Sequence, residues 1–267
     1  MSKELAKSAR KRFGQNFLID GRVIDAILAS INASASDAVV EIGPGHGAIT
    51  EGLYASQCDL TLIELDRDLV PGLLASFVSK SPERCRLLNE DVLKVDFTQL
   101  SSPLRIVGNL PYNISTPLLF KLLELGNQIQ DIHVMLQKEV VNRIAAAPGE
   151  SAYGRLGVMI QATARVEPLI DVPPESFAPP PKVDSGVIRI IPDANKRALI
   201  ESMDALTQVV RQAFSQRRKT LRNNLKDVVS LDEFEALSIN PQDRPERLSV
   251  ETYVELGNYL GRRKGKA

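Results

Sequence analysis

The tetrapeptide Asn109-Leu110-Pro111-Tyr112 combines residue types that can hold a flat ring carrying an amino group. The side-chain oxygen of Asn109 and the main-chain carbonyl of Leu110 can each accept one of the two amino hydrogens. Pro111 makes the turn rigid, and the ring of Tyr112 can stack on an aromatic base. An ordinary turn has a similar composition, so this interpretation depends on the residues that precede the tetrapeptide.

The chemistry that these acceptors suit is alkylation of an adenine amino nitrogen. That nitrogen is a poor nucleophile because its lone pair is delocalised into the ring, so a catalyst must hold it in line with the group that is transferred. The attack makes the nitrogen cationic, and the two acceptors stabilise the charge as it develops. A strong base is not required for this reaction.

Three successive predicted strands upstream end in groups that suit a nucleoside. Gly43, Gly45 and Gly47 follow the first strand, and their spacing departs from the Gly-x-Gly-x-x-Gly pattern, which disfavours a nicotinamide dehydrogenase. Glu64 ends the second strand about 20 residues later, where a carboxylate can accept from both ribose hydroxyls. Asp91 follows the third strand and can accept from an adenine amino group. Glu64 by itself could be a surface charge, but the three positions together predict a nucleoside site.

The composition is that of an ordinary globular protein. The chain has 267 residues, of which 43% are hydrophobic and 25% charged, and this length predicts two domains. No apolar run approaches the roughly 20 residues that span a bilayer, and the basic N-terminal segment lacks the apolar stretch of a secretory signal. Glu4 makes that segment a poor mitochondrial presequence. Cys58 and Cys85 are predicted to be small buried side chains, which is consistent with a reducing compartment. We therefore expect a cytoplasmic protein that does not contact a membrane.

Charge is balanced overall but clustered locally. Basic and acidic residues number 33 each, yet residues 196–226 carry eight basic side chains against two acidic ones. Such a cluster is typical of phosphate contacts, although a solvated helix face has a similar pattern. The residues that we expect to contact phosphates are Arg217, Arg218, Lys219 and Arg222.

The apolar pattern alternates between strands and helices up to about residue 192. Strands are predicted at residues 38–42, 60–65, 85–88, 104–107, 132–136 and 187–191. Helices are predicted between them at residues 23–31, 69–78, 117–125 and 138–147. This alternation predicts an α/β fold with a parallel sheet, and a proline-rich stretch after Val166 predicts an extended segment along the sheet edge.

From Asp193 onward the pattern becomes helical. Helices are predicted at residues 199–214, 221–229, 232–237 and 250–260. Asp232 and Ser249 are the predicted N-caps of the last two. The chain is therefore predicted to form two domains, residues 1–192 with the sheet and residues 193–267 with helices alone.

Over essentially its whole length the chain resembles the ribosomal RNA adenine dimethyltransferases, and most closely the bacterial small-subunit members of that family, which are associated with kasugamycin sensitivity. The motifs that carry the resemblance are Arg12-Phe-Gly-Gln-Asn-Phe-Leu18, Glu41-Ile-Gly-Pro-Gly45, Ile63-Glu-Leu-Asp66, Asn109-Leu-Pro-Tyr-Asn-Ile-Ser115, Met135-Leu-Gln-Lys-Glu-Val140, Phe177-Ala-Pro-Pro-Pro-Lys-Val-Asp-Ser185 and Gln216-Arg-Arg-Lys-Thr220. His46 departs from the leucine or alanine expected at that position, which bears on the packing of a cofactor.

The resemblance implies a Rossmann-like class I S-adenosylmethionine methyltransferase sheet followed by a small C-terminal helical RNA-binding domain. It implies transfer of methyl groups from S-adenosyl-L-methionine to N6 of two adjacent adenosines in the 3′-terminal hairpin loop of small-subunit (16S) rRNA. The cofactor contacts that it implies are Asn16, Phe17, Leu18, Gly43, Gly45, Glu64, Leu65, Asp91, Val92 and Asn109. It also implies that Phe177 faces Tyr112 across the target base and completes the catalytic set of Asn109, Leu110, Pro111, Tyr112 and Phe177.

Two of these assignments come from the resemblance alone. Residues 15–18 by themselves predict a polar cap before an apolar helix, with no function. Phe177 by itself predicts an exposed aromatic side chain in a proline-rich loop, where a plug at the domain junction is favoured over stacking on a flipped base.

Four alternatives remain open from the sequence. They are a large-subunit RNA dimethyltransferase of the macrolide-resistance type, a ribosome-assembly factor that binds immature small subunits, a nicotinamide dehydrogenase, and a mitochondrial relative that doubles as a transcription factor. The intact Glu64, Asp91 and Asn109 disfavour a purely binding protein, and the Asn-Ile-Ser continuation after Tyr112 fits the small-subunit type. We expect a monomer without a metal ion that acts on small-subunit rRNA within an immature 30S particle.

Overall fold

The computed structural model describes residues 15–111 and 114–264, so Tyr112 and the first residues of the Arg12 motif lie outside the described residues. The chain divides into two compact units. The first unit comprises Met1–Val141 and Glu167–Pro192, and the second comprises Asn142–Val166 and Asp193–Ala267. The boundary at Asp193 coincides with the predicted one, but residues 142–166, which the sequence pattern assigned to the sheet domain, belong to the helical unit.

Long-range contacts explain why residues 142–166 join the helical unit. The hydroxyl of Tyr153 donates a hydrogen bond to the carbonyl of Leu248 at 3.0 Å, and the guanidinium of Arg217 donates to the carbonyls of Ser151 and Tyr153. Leu248 and Arg217 lie 95 and 64 residues beyond Tyr153 in the chain. The apolar periodicity of residues 142–166 therefore gives no information about these contacts.

The first unit contains a mixed sheet whose strand order is β4-β3-β2-β5-β6-β9-β7. Its strands are β2 (Ala38–Ile42), β3 (Asp59–Ile63), β4 (Cys85–Leu88), β5 (Leu104–Asn109), β6 (Ile129–Gln137), β7 (Ala164–Val172) and β9 (Ser185–Pro192). Strands β2 to β6 pair in parallel, whereas β9 pairs antiparallel with β6. The strand order reverses between β2 and β5, where open α/β sheets bind their ligands. The predicted Rossmann-like sheet is confirmed.

Five of the described helices precede, separate or follow the parallel strands in the chain. They are α1 (Gly21–Ile31), α2 (Thr50–Ala55), α3 (Val70–Ser76), α4 (Ser115–Glu124) and α5 (Lys138–Ala145), and α5 crosses the boundary between the units. Asp20 caps α1 by accepting from the N–H of Arg22, and Ile27 and Ile31 are buried. The residues of the central strands β2, β3 and β5 are almost entirely buried, as expected for parallel strands covered on both faces.

Residues 17–18 form a strand that the sequence pattern did not predict. Strand β1 (Phe17–Leu18) pairs antiparallel with β8 (Phe177–Ala178), and Leu18 lies opposite Phe177. The interpretation of residues 15–18 as only a polar cap is therefore wrong. A two-residue strand has no periodicity of its own, and its partner is distant in the sequence.

The chain from Ala164 to Pro192 contributes two strands, β7 and β9, near one edge of the sheet. The sequence predicted an extended segment along this edge but not the order of these two strands. Strand β7 is the edge strand, and β9 lies inside it, between β6 and β7. Pro168 in β7 lacks an N–H, and such a residue is tolerated on an edge strand because one side of that strand has no partner.

The second unit contains short helices and one longer C-terminal helix. They are α6 (Arg155–Gln161), α7 (Ala194–Ala198), α8 (Met203–Ala213), α9 (Leu221–Leu225), α10 (Leu231–Ala236) and α11 (Val250–Lys264). Leu206, Val209, Tyr253 and Leu256 are buried in its core. Beyond Asp193 the described residues form no strand, as predicted.

Two details of the helical prediction are wrong. The single helix predicted at residues 199–214 is interrupted, because the side chain of Asn258 bonds the N–H of Glu201 and the carbonyl of Leu199, and Ser202 then caps α8. The N-cap of α10 is Ser230 rather than Asp232, since Ser230 and Glu233 form a reciprocal capping box. The predicted cap at Ser249 is confirmed by its bond from the N–H of Thr252 at 3.1 Å.

Of the helices that the structure describes, none combines the length and the apolar character needed to cross a bilayer.

Candidate active site

A cavity of about 770 Å³ lies at the carboxyl ends of the central strands of the first unit. It is lined by the turn after β2, the ends of β3 and β5, the segment after β4, and the β1–β8 pair. Every predicted catalytic and cofactor residue other than Tyr112 lies on its wall: Asn16, Phe17, Leu18, Gly43, Gly45, Glu64, Leu65, Asp91, Val92, Asn109, Leu110, Pro111 and Phe177. The structure thus brings together residues that are widely separated in the sequence.

The turn after β2 depends on glycine. Gly43 and Gly45 have φ angles of +68° and +61°, which residues with a side chain rarely adopt. A Cβ atom on Gly45 would also lie 3.1 Å from the ring of Phe17. The backbone can therefore pass close to a ligand at this point, as the glycine spacing predicted.

Glu64 is buried at the end of β3, with 6% of its surface exposed. Its Oε2 accepts from the N–H of Gly45 at 3.2 Å, and its Oε1 accepts from the N–H of Asp66 at 2.8 Å. Burial raises the pKa of Glu64 above its ordinary value, although these backbone bonds oppose the rise. Each carboxylate oxygen has two acceptor positions, so both can still accept from ribose hydroxyls. The alternative of a surface charge is excluded for this residue.

Asp91 and Val92 form the wall beyond β4. The Oδ1 of Asp91 accepts from the N–H of Leu93 at 3.0 Å, which fixes the carboxylate against its own turn, and Val92 is buried. Leu65 also lines the cavity, and 51% of its surface is exposed. An apolar side chain beside an acidic acceptor suits the face and the amino edge of an adenine ring.

Asn109 is oriented by a contact across the chain. Its Nδ2 donates to the main-chain carbonyl of Asn16 at 3.1 Å. This bond fixes which end of the amide is the nitrogen, so the other end is the oxygen Oδ1, which can only accept hydrogen bonds. The N–H of Leu110 donates to the carbonyl of Met135 at 3.2 Å, which anchors the turn to β6. The site therefore presents the amide oxygen that the sequence predicted as an amino-group acceptor.

Phe177 is buried, with 3% of its surface exposed, and it lies in β8 rather than in an exposed loop. The prediction of an exposed-looking aromatic is wrong because the Phe177 side chain belongs to the hydrophobic core, together with Leu18 of the paired strand β1. Phe177 nevertheless lines the cavity. His46 also lines it, and its ring packs edge-on against Phe17 with centroids 4.4 Å apart.

Three further residues of the cavity wall were not predicted as site residues. Gln15 donates from Nε2 to Oδ2 of Asp66 at 2.9 Å, and Asp66 is buried. Glu41 is buried at the end of β2 and accepts from the hydroxyl of Thr50 at 2.6 Å. All three lie inside motifs that carry the family resemblance, and this position in the motifs could have identified them as site residues.

Across the part of the chain that the structure describes, histidine, cysteine and carboxylate side chains form no group of three that could hold a metal ion.

Glu41 makes the stability of the protein depend on pH near neutrality. Burial is the main cause that raises the pKa of Glu41 to about 7, against an ordinary value of 4.5. Between these values the folded protein keeps a proton that the unfolded chain has released, so the free energy of unfolding falls as pH rises through this window. We expect Glu41→Gln to be more stable than wild type above pH 7, by up to about 3 kcal/mol, and equal to it near pH 4.5.

Thermal unfolding without added cofactor at a series of pH values from 4.5 to 8 measures this difference. Glu83→Gln, which removes an exposed carboxylate, is the control and should follow the wild-type curve. A Glu41→Gln curve that runs parallel to wild type across the whole range would contradict the prediction.

The basic residues predicted to bind phosphates lie in the second unit and are exposed. Arg218 and Lys219 lie in the loop between α8 and α9, and Arg222 lies in α9. Arg217 lies in the same loop, but its guanidinium is held by the carbonyls of Ser151 and Tyr153 at 2.7 and 2.9 Å. Arg217 therefore has a structural contact that the charge pattern could not reveal.

Comparisons with known proteins agree with the geometry of the site. The profile of the family described as Ribosomal RNA adenine dimethylase matches residues 6–262. A protein of Shewanella sp. (strain MR-7) named Ribosomal RNA small subunit methyltransferase A is 52% identical over 96% of this chain and 96% of its own length. A protein of the same name from Saccharophagus degradans is 54% identical over 94% of each chain. The crystal structure of a dimethyladenosine transferase from Plasmodium falciparum superposes with a TM-score of 0.81 at 25% identity, covering 92% of this chain and 98% of that one. Since the profile spans nearly the whole chain and its relatives match over their full length, the chain belongs to the ribosomal RNA adenine dimethylase family.

Proposed function

We propose that this protein transfers methyl groups from S-adenosyl-L-methionine to N6 of two adjacent adenosines of small-subunit rRNA, giving N6,N6-dimethyladenosine. The observation that carries the proposal is that Asn109 lies on the wall of the same cavity as Glu64 and Asp91. An acceptor for a target amino group and acceptors for a nucleoside cofactor thus meet in one site. Relatives more than 50% identical over nearly their whole length are named as small-subunit rRNA methyltransferases, which favours this substrate over the large-subunit alternative.

The residues of the cavity fit S-adenosylmethionine. A volume of about 770 Å³ lies in the range of ligand sites, roughly 300–1,000 Å³. Glu64 would accept from the ribose hydroxyls, Asp91 would accept from the adenine amino group, and the glycine turn after β2 would pass beside the amino-acid end. The cofactor supplies an electrophilic methyl group on a sulfonium.

The chain would act on the target adenosine mainly by orientation. The Oδ1 of Asn109 and the carbonyl of Leu110 would accept the two amino hydrogens, which aims the nitrogen lone pair at the methyl group. As the nitrogen gains a fourth bond and positive charge, both hydrogen bonds strengthen, and the nitrogen then loses a proton to water. Tyr112 and Phe177 would hold the ring of the base between them.

The second transfer makes a different demand on the same acceptors. A monomethylated amine has one hydrogen left, so it can satisfy either Asn109 or Leu110 but not both. The second methyl transfer would therefore depend more strongly on the orientation of the Asn109 side chain, which its bond to the carbonyl of Asn16 sets.

We also propose that the protein acts as a monomer in the cytoplasm and that its substrate is an immature 30S particle.

The exposed basic residues of the second unit would bind rRNA phosphates. We expect Arg218→Ala and Lys219→Ala each to weaken RNA binding and to reduce the slope of log affinity against log salt by about 1, without a change in melting temperature. Arg217→Ala should instead lower stability, by about 1–3 kcal/mol, because two main-chain carbonyls lose their partner.

Salt titrations of RNA binding and thermal melts of the same variants test this separation. Lys80→Ala, which removes an exposed lysine of the first unit, is the control for loss of charge. If Arg218→Ala and Lys80→Ala change the salt slope equally, the basic loop is not an RNA contact.

The proposed function is tested by methyl transfer from labelled S-adenosylmethionine to small subunits that lack the modification, followed by nucleoside analysis. We expect dimethyladenosine in small-subunit RNA and none in large subunits treated in the same way. Label in large-subunit RNA instead would support the large-subunit alternative. Cofactor binding without any incorporation would support an assembly factor.

A further inference from the structure

Lys121 lies in the last turn of α4 and is surrounded by main-chain oxygens. Its Nζ donates to the carbonyls of Val95, Leu93 and Val92 at 2.6, 2.7 and 3.4 Å. Its ammonium also lies 5.4 Å from the centre of the Phe97 ring. An ammonium has three N–H donors and no acceptor, so three carbonyls use its full capacity.

The three carbonyls belong to the turn that carries the adenine end of the proposed cofactor site. This turn starts at Asp91, whose main-chain carbonyl accepts from the N–H of Lys94 at 2.7 Å and whose Oδ1 accepts from the N–H of Leu93. Val92, Val95 and Phe97 are buried, so the turn cannot shift freely into solvent. The positions of the Asp91 carboxylate and of the Val92 backbone are thus tied to the shape of this turn.

A cation is needed for this shape. Three carbonyl oxygens that converge on one point repel one another unless a positive group lies between them, and charged donors form the stronger hydrogen bonds. An apolar side chain at position 121 would leave all three oxygens without this partner. The turn would then rearrange to give these oxygens other partners, and Asp91 and Val92 would move with it.

Lys121 is itself held firmly in place. Helix α4 begins at Ser115, after the segment that follows Asn109 at the end of β5, and its Leu118, Leu119 and Leu122 are buried. The lysine therefore connects the helix behind the target-base loop to the turn behind the adenine site.

We propose that Lys121 is a positioning residue that sets the specificity of the cofactor site for adenine, by holding the turn that presents Asp91 and Val92. This inference rests on the proposed function, because it assumes that a nucleoside cofactor binds in this cavity. Asp91 would accept from the adenine amino group, and a site built on such bonds discriminates strongly against a ring that lacks the group.

The test compares the binding of S-adenosylhomocysteine with that of S-inosylhomocysteine, in which an oxygen replaces the adenine amino group. Calorimetry on the full chain gives the ratio of the two dissociation constants. We expect Lys121→Met to reduce the preference for the adenine compound by about tenfold or more, mainly by weakening its binding. In methyl transfer, KM for the cofactor should rise while kcat stays within about threefold of wild type.

Lys94→Met is the matched control, because Lys94 lies in the same turn and is exposed. It removes the same charge without touching the three carbonyls, so its binding ratio should equal that of wild type. Lys121→Arg keeps the charge and several N–H donors, and we expect it to restore much of the preference.

A Lys121→Met protein with a lower melting temperature but an unchanged binding ratio would overturn the proposal, since a merely structural lysine would behave in that way. If Lys121→Met does not fold, Lys121→Gln, which keeps two N–H donors, replaces it in the comparison. An unchanged ratio of the two dissociation constants in that variant also overturns the proposal. Failure of wild type to bind either compound would contradict the proposed cofactor and this inference together. Binding without methylation of RNA would contradict only the proposed substrate, and the ratio would still decide the role of Lys121.

Discussion

Asn109→Ala is expected to lower the rate of methyl transfer at saturating cofactor by about 100-fold or more. The substitution removes the amide oxygen that would accept an amino hydrogen of the target adenosine, and it also removes the bond to the carbonyl of Asn16. Residual product should be mostly monomethyladenosine, because the second transfer has one hydrogen bond fewer to orient it. Nucleoside analysis of labelled small-subunit RNA over time measures both effects.

Asn109→Asp separates the two contacts of this side chain. Aspartate keeps an acceptor oxygen but places a second oxygen against the carbonyl of Asn16, which repels it. We therefore expect Asn109→Asp to lower the rate of methyl transfer nearly as much as Asn109→Ala does. Asn127→Ala, at an exposed asparagine in the turn before β6, is the control and should behave as wild type. Dimethyladenosine formed by Asn109→Ala at the wild-type rate would show that Asn109 does not position the amine.

Asp131→Asn is expected to lower the free energy of unfolding by about 3–5 kcal/mol, because it removes the carboxylate that binds a buried arginine most closely. Among the described residues, that arginine, Arg105, then keeps only the ion pair with Asp37, at 3.3 Å. Asp131 is 1% exposed, and Arg105 binds both of its oxygens, at 3.0 and 2.9 Å. Arg105 also donates to the carbonyl of Ile31, which joins α1 to β5. Burial by itself raises the pKa of Asp131, but His133 and Arg105 lower it well below its ordinary value.

Urea unfolding at pH 7 measures this loss, and an exposed ion pair supplies the control. Arg86 and Asp59 lie 2.6 Å apart, and 46% and 34% of their side chains are exposed, so Asp59→Asn should cost less than about 1 kcal/mol. The depressed pKa means that the contribution of Asp131 is present above the ordinary carboxyl range and is lost as pH falls below it. Equal losses for the two variants would contradict the assignment of a buried ion pair.

The central sheet and most of the site could be predicted because two local signals coincide there. Strands such as β2 and β3 are buried on both faces and have continuous apolar runs, and the residues that follow them, Gly43 and Glu64, must meet at one edge of a parallel sheet. The positions of these site residues therefore follow from strand assignment alone, without any knowledge of loop structure.

Most of the errors involve contacts between residues far apart in the chain, whereas the misplaced cap of α10 is local, because Ser230 and Glu233 are three residues apart. The break before α8 depends on the side chain of Asn258, and strand β1 depends on β8. The burial of Phe177 likewise depends on a core built from distant segments, including Leu18. The placement of residues 142–166 follows from partners such as Leu248. A periodicity window covers a few turns of chain, so it registers none of these partners.

The pairing of β1 with β8 has a consequence for the way the protein is made. A growing chain leaves the ribosome with its N-terminal end first, so Phe17 and Leu18 emerge long before Phe177 and Ala178 exist. Until that second segment has been translated, the nascent polypeptide lacks one wall of its cofactor cavity. We therefore expect no methylation activity from products that end before β8, because their cavity lacks this wall.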